Sequence, residues 1–260
     1  MLDIKEITME HHKNAERQEF VRILMSGNID EKLYATYLYN QFQCYSVLEK
    51  YGLHNSLFRD KPGLLRAEHI HYDYRSLWTD IGSPPEITES TKEYIDHIES
   101  IQDEAMKLYA HIYVRHLGDL SGGQMIMKKT PGPNRYYKFK HKEVGDYRRI
   151  VKETINSYLN VYEHSVVPEA MFCFESATKL FKEMKSNRII DKLNFYLEEY
   201  NEPGMERFNN DKWTNRTWSN QGIRRAHVDV VDVREEKGLW MQHVCIFPGL
   251  TNGGPIFGWD

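Results

Sequence analysis

The stretch Tyr113-Val114-Arg115-His116-Leu117-Gly118-Asp119-Leu120-Ser121-Gly122-Gly123-Gln124 decides how the rest of this chain is read. Upstream, residues 101–112 carry apolar side chains at helical spacing. Downstream, Gln124-Met125-Ile126-Met127-Lys128-Lys129 is rich in helix formers until Pro131-Gly132-Pro133 stops it. Three glycines inside such a helix are a local conflict, since each costs about 1 kcal/mol relative to alanine. Gly118 and Gly122 fall one turn apart on a single face. They make a strip free of side chains, flanked by Asp119, Ser121 and Gly123, that a flat ligand can touch directly. A helix crossing through small residues, or a loop, would use the same glycines, so spacing alone leaves these readings open.

Composition narrows the class. A chain of 260 residues holds one large or two modest domains and enough apolar material for a core. Its net charge is −4, with both signs mixed throughout, which argues against a general nucleic-acid surface. The three cysteines, Cys44, Cys173 and Cys245, are far apart and form no C-x-x-C pair. That argues against a disulfide framework or a structural zinc site and suits a reducing, cytoplasmic setting. No apolar run approaches membrane-spanning length. The N-terminus combines acidic residues with helical periodicity, unlike a signal or transit peptide.

Working outward, residues 3–26 read as one helix ended by Ser26-Gly27. Asp30 caps a second helix over 30–50, with Leu33, Tyr37, Tyr39, Phe42, Tyr45 and Leu48 inward. Pro62-Gly63 breaks the chain before a helix over 64–79, and Thr88 or Ser90 caps one into the 90s. Helices over 142–162 and 167–186 complete an all-α domain spanning 1–187. A further helix and a polar, tryptophan-bearing linker fill 188–222. The pattern then switches to alternating β-branched residues over 225–233, a turn at Glu235-Glu236-Lys237-Gly238, and a second strand over 239–247. Residues 223–260 thus read as a short antiparallel β segment, an incomplete α/β domain.

The string from Tyr113 to Gln124 resembles the signature of haem oxygenases, and that resemblance implies a helical bundle over residues 1 to about 185. It further implies that the glycine-bearing helix kinks over haem on the distal side, with Asp119 holding a water network and Arg115 and Tyr45 beside it. Lys5-Glu6-Ile7-Thr8-Met9-Glu10-His11-His12 resembles the family's first helix and places His12 as the iron's axial ligand. His11 is the competing position. Glu16, one turn after His12, can orient the ring through its other nitrogen, and Phe20 recurs at the family's spacing. For the haem propionates the resemblance points to Lys5, Tyr113, Arg148 and Lys152, although a solvated basic face would give the same Arg148/Lys152 spacing. Gly118, Ser121 and Gly122 would line the haem. The family's reaction opens haem to biliverdin, carbon monoxide and ferrous iron, with oxygen and reduced ferredoxin or a similar donor.

Two alternatives remain at this level. One is a haem or bilin carrier without turnover. The other is a di-iron oxygenase, for which Glu68, His69, His71 and Asp73, or His97, His111 and His116, offer carboxylates and imidazoles. An exposed helix turn explains the first of these groups more simply.

Residues 205–260 resemble the opening of a ferredoxin-dependent bilin reductase. The resemblance rests on Trp218 to Asp229, Gly238 to Pro248 and Pro255-Ile256-Phe257-Gly258-Trp259-Asp260. It matches His243 and Asp260 to the family's proton-donating pair and Asp229 to a further acidic position, and His227 shares a strand face with Asp229. Hand-over of a bilin to a reductase is the partnership this implies. The resemblance stops well short of that family's length, so a fragment of a fused chain or a vestigial segment without reductase activity is expected.

Overall fold

Asp30 starts the central helix. Its carboxylate accepts from the backbone N–H of Leu33 at 2.9 Å, relieving one of the free donors every helix start carries. The helix that follows runs Glu31–His54 and is the fourth in chain order, α4. It is buried around almost its whole circumference, including Asn40, Gln41, Gln43 and Glu49. A buried polar group must be bonded, and these are used as staples. Asn40 donates to Glu86 O at 2.9 Å and accepts from Thr88 N–H at 2.9 Å, tying down the approach to α6 (Glu89–Ser100). Glu49 accepts from Arg66 N–H at 2.5 Å and Ala67 N–H at 3.0 Å, which fixes the start of α5 (Ala67–Leu77).

The structure is a computed structural model that describes residues 3–79 and 83–185, all within one unit, Met1–Tyr196. Among them every element is helical, as expected for the first domain. The expected helix over 188–200, the linker and the β segment with Asp229, His243 and Asp260 lie outside the described residues.

The N-terminal segment departs from the single helix expected over 3–26. It forms α1 (Ile4–Ile7), α2 (Met9–Glu16) and α3 (Glu19–Ser26). Thr8 turns its hydroxyl back onto Ile4 O at 2.7 Å and sits at φ −94°, ψ 4°, a side-chain competition that bends helices. Gln18 is extended, at φ −62°, ψ 144°, and divides α2 from α3. Gly27, at φ 82°, ends α3 in a left-handed conformation that glycine adopts without strain.

The glycine-bearing stretch divides into α7 (Ala105–Ser121) and α8 (Gly123–Met127). The last helix, α9, runs His141–Met184 with a kink at Tyr162 (φ −130°, ψ 36°). Pro168 inside α9 has no N–H to return to the preceding turn, and the break lies just upstream of it. The two helices expected there are both present, joined across the kink at Tyr162. α9 is the spine of the bundle: α7 lies along it, and α1, α2 and α3 pack on it as well. The core between α4, α6, α7 and α9 includes Leu48, Tyr94, Ile98, Leu108, Ile112, Val151 and Leu159.

Candidate active site

Gly118 and Asp119 are neighbours with opposite surroundings. Gly118 is exposed, and a Cβ built on it would meet nothing within 4 Å. Asp119 is buried. A helix wall is thus bare of side chains and open at one position, with a carboxylate tucked behind it at the next. One turn on, Gly122 donates its N–H to Gly118 O at 2.7 Å, and the chain then bends into α8. Gly123 faces inward instead, where a Cβ would come within 2.4 Å of the Tyr137 ring. The glycines therefore do two jobs, two of them opening a surface and one allowing a close approach.

Asp119 is held by tyrosines. Tyr45, on α4, donates its hydroxyl to Asp119 Oδ2 at 2.6 Å, and Tyr136 donates to the Tyr45 hydroxyl at 3.0 Å. Burial raises the Asp119 carboxyl to about 7, against the lowering effect of the tyrosine donors and of Arg66 and Arg115. The same burial drives Tyr45 and Tyr136 well above the ordinary phenol range, so both remain protonated donors. Arg115 does not bond Asp119. It donates to Gln41 Oε1 at 2.9 Å and stacks over the Tyr94 ring at 4.1 Å and the Tyr45 ring at 5.5 Å.

His12 is exposed on α2. Its Nδ1 faces Glu16 Oε2 at 3.4 Å, which leaves Nε2 free, and its ring meets Phe174 of α9 edge-on at 5.5 Å. His11 differs: its Nδ1 faces Glu175 of α9 at 3.5 Å. Lys5 is exposed on α1, and the bend at Thr8 removes the simple two-turn alignment with His12 that one continuous helix would have given. Tyr113 is buried, with its hydroxyl pushed to about 12 by desolvation.

Arg148 and Lys152 are not a solvated pair. Lys152 is exposed, but Arg148 is partly buried and donates through Nη2 to Leu120 O, a carbonyl at the bend of the glycine helix. Ser121, also expected to line the site, is exposed at the end of α7.

The carboxylate–imidazole groups considered for a di-iron centre serve other ends. Asp73 is buried, contrary to the exposed turn expected, because its two oxygens accept from Arg135 N–H at 2.9 Å and Tyr136 N–H at 2.7 Å. His116 pairs with Glu49 at 3.1 Å. His97 and His111 converge on one oxygen of Glu169, at 2.6 Å and 3.0 Å. This is the one group among the described residues with three ligand atoms close enough for a metal, and it holds a single carboxylate, short of a di-iron set. Burial lowers His111 to about 4, so it is neutral at ordinary pH, while the two imidazoles hold Glu169 at about 2 against its own desolvation.

Sequence reasoning missed Tyr136 and Gln41, the partners that complete the Tyr45 and Arg115 contacts. Neither lies in a motif; a tyrosine pair after Pro131-Gly132-Pro133 was the only visible signal.

A kinked glycine helix over an open strip, a buried aspartate behind it and a histidine on the first helices define a haem-oxygenase-type α bundle. The comparisons agree. The family described as "Heme oxygenase" matches residues 2–206. The chain belongs to the haem oxygenase family, whose members degrade haem oxidatively. The heme oxygenase of Porphyra purpurea is 29% identical over 212 residues, covering 71% of this chain and 86% of that one. That of Guillardia theta is 36% identical over 139 residues, 49% of this chain and 56% of the other. Among solved structures, heme oxygenase-1 of Synechocystis in complex with heme superposes with a TM-score of 0.62 at 21% identity, covering 75% of this chain and 96% of that one. The heme oxygenase of Leptospira interrogans gives 0.61 at 26% identity, covering 69% and 97%. Among the described residues no helix is long and apolar enough to cross a membrane.

Proposed function

We propose that haem lies between His12 and the bare strip at Gly118 and Gly122, and that Asp119 governs proton delivery to it. The reaction is oxidative opening of haem to biliverdin, carbon monoxide and ferrous iron, haem being both substrate and cofactor. The observation that carries the reading is the pairing of an open Gly118 with a buried, tyrosine-held Asp119 on the next residue. Bound haem supplies the iron at which oxygen is activated. The chain supplies what surrounds it. His12 would hold the iron through Nε2, its ring oriented through Nδ1 by Glu16. The glycines would keep side chains away from the face of the bound haem. Asp119, charged above pH of about 7, accepts hydrogen bonds from water in the cleft and so keeps a proton path in place.

Lys5, Tyr113 and Lys152 serve the propionates. Arg148 joins them or remains on Leu120 O, where it braces the distal helix against α9. Electrons come from a soluble donor, and a reduced ferredoxin fits the exposed Lys128, Lys129, Lys138, Lys140 and Lys142, since such carriers are acidic.

The experiment is haem with reductant under air. An oxygenase loses the Soret band and forms a pigment identified by chromatography as biliverdin. A carrier keeps its Soret band, which would refute the assignment.

A further inference from the structure

The turn Arg135–Tyr137 is built to deliver one hydroxyl. Asn134, at φ 52°, sets its start, with its side chain donating to Thr130 O at 2.9 Å and accepting from Tyr34 at 3.2 Å. Asp73 holds the next two backbone N–H groups, and Arg66 donates to Tyr136 O at 3.3 Å. The Tyr136 ring is clamped between Tyr137, stacked at 4.1 Å, and Tyr45, edge-on at 5.6 Å. So held, its hydroxyl meets that of Tyr45.

A phenol has one proton to give and lone pairs to receive with. Tyr45 stands between two partners, and a charged Asp119 at 2.6 Å requires its proton. Tyr45 must then receive from elsewhere, and among the described residues Tyr136 is the group bonded there. If Asp119 is protonated the line can reverse, with Asp119 donating to Tyr45 and Tyr45 to Tyr136. The three residues thus form a line with two directions, each matched to one charge state of Asp119. We propose that Tyr136 is a positioning residue for Asp119: by donating to Tyr45 it fixes Tyr45 as donor to the carboxylate and sets the pH range in which the carboxylate is charged. This rests on the proton-delivery role proposed for Asp119.

Other groups face Asp119 and would be unchanged by loss of the Tyr136 hydroxyl. They are Tyr34 and Tyr37 of α4, Arg66 at the start of α5, Arg115 of α7 and Tyr137 of the turn, while His116 stands against Tyr45 and Arg148 of α9 bonds the neighbouring Leu120 O. The Tyr136 hydroxyl also lowers Asp119 directly, and hydrogen bonds in a chain strengthen one another by about a tenth to a third. Tyr136→Phe should therefore raise the Asp119 midpoint by about half a pH unit, roughly a threefold change in its protonation constant.

Two readouts separate this inference from the one beneath it. In the haem-free protein, the infrared carboxyl band that Asp119→Asn abolishes is titrated in the parent, in Tyr136→Phe and in Tyr136→Leu. Both Tyr136 variants should move the midpoint upward alike, because both lack the hydroxyl. A shift only in the Leu variant would assign the effect to ring packing, and no shift in either would leave the hydroxyl without influence; both results overturn the proposal. In the haem-loaded enzyme, the acid limb of biliverdin formation should move by the same amount in Tyr136→Phe, with haem affinity unchanged. An acid limb that survives in Asp119→Asn would refute the role of Asp119 itself, whatever the infrared midpoints show.

Discussion

Replacing Asp119 by asparagine should stabilise the haem-free protein, by an amount that grows from about pH 4 and is complete above about pH 7. In the unfolded chain this carboxyl titrates near 3.8; in the fold, burial holds it at about 7. Between those values the folded state binds a proton that the unfolded chain does not. The stability contributed by the protonated carboxyl is complete below about pH 4 and is lost as pH rises through about 7. A displacement of about three units corresponds to about 4 kcal/mol, and relaxation with water entering the open strip reduces the expected penalty to about 2 kcal/mol. Asparagine carries no charge and can still accept from Tyr45. At pH 8 the variant should therefore melt higher by about 5 °C, on the scale of about 2–4 °C per kcal/mol for a domain of this size. The gain should shrink steadily as pH falls below about 7, with roughly a third of it left at pH 5 and none by about pH 4. Circular dichroism melts of parent and variant at pH 5, 6.5 and 8 measure it. Histidine protonation weakens both proteins alike on the acid side, so the difference between them is the quantity to follow. A variant that is less stable at pH 8, or an advantage independent of pH, would mean that Asp119 is not a destabilised carboxylate.

Further outcomes follow from the same geometry. His12→Ala should lose the histidine-ligated haem spectrum and turnover while His11→Ala, whose ring faces Glu175, keeps both; the reverse pattern in absorption spectra would reassign the ligand. Gly118→Leu should fold with stability equal to or about 1 kcal/mol above the parent in thermal melts, because its Cβ meets nothing, yet cut biliverdin formation at least tenfold by filling the strip. Arg148→Ala should yield a mixture of biliverdin isomers on chromatography, since both its cation and its brace on Leu120 are gone; a single unchanged isomer would remove it from haem seating. On the acid side, neutral His111 must charge at about 4 rather than near 6.5, so in the Asp119→Asn background, where the opposing carboxyl is gone, stability should fall as pH drops between those values, and a variant as stable at pH 4.5 as at pH 7 in urea titrations would contradict the burial of His111.

The parts of the site legible in the sequence are those encoded locally. Gly118, Asp119 and Gly122 lie within one run, and His12 and Glu16 within one turn, so a motif reports them. Asp30 and Gly27 announced helix ends through their own chemistry. What the sequence hid is long-range. Tyr136 reaches Tyr45 across 91 residues, and Arg148 reaches Leu120 across 28, links that no periodicity encodes. Asp73 was misread as exposed because its partners are backbone N–H groups, which leave no residue signature. Thr8 looked like an ordinary helical residue, and only its hydroxyl bond to Ile4 reveals the bend.

Asp73 also has a mechanical consequence. One side chain of α5 grips two successive amides, so the Arg135–Tyr137 turn has no freedom of its own and travels with α5 as a rigid attachment. Asp119 travels with α7, and Tyr45 with α4. The line from Tyr136 to Asp119 therefore spans three elements, the turn held by α5, then α4, then α7. A slide of α7 by a few tenths of an ångström would lengthen its 2.6 Å bond into weak contact before any packing in the core was broken. The amides of Arg135 and Tyr136, although they sit in a short turn, should exchange with solvent as slowly as those of α5.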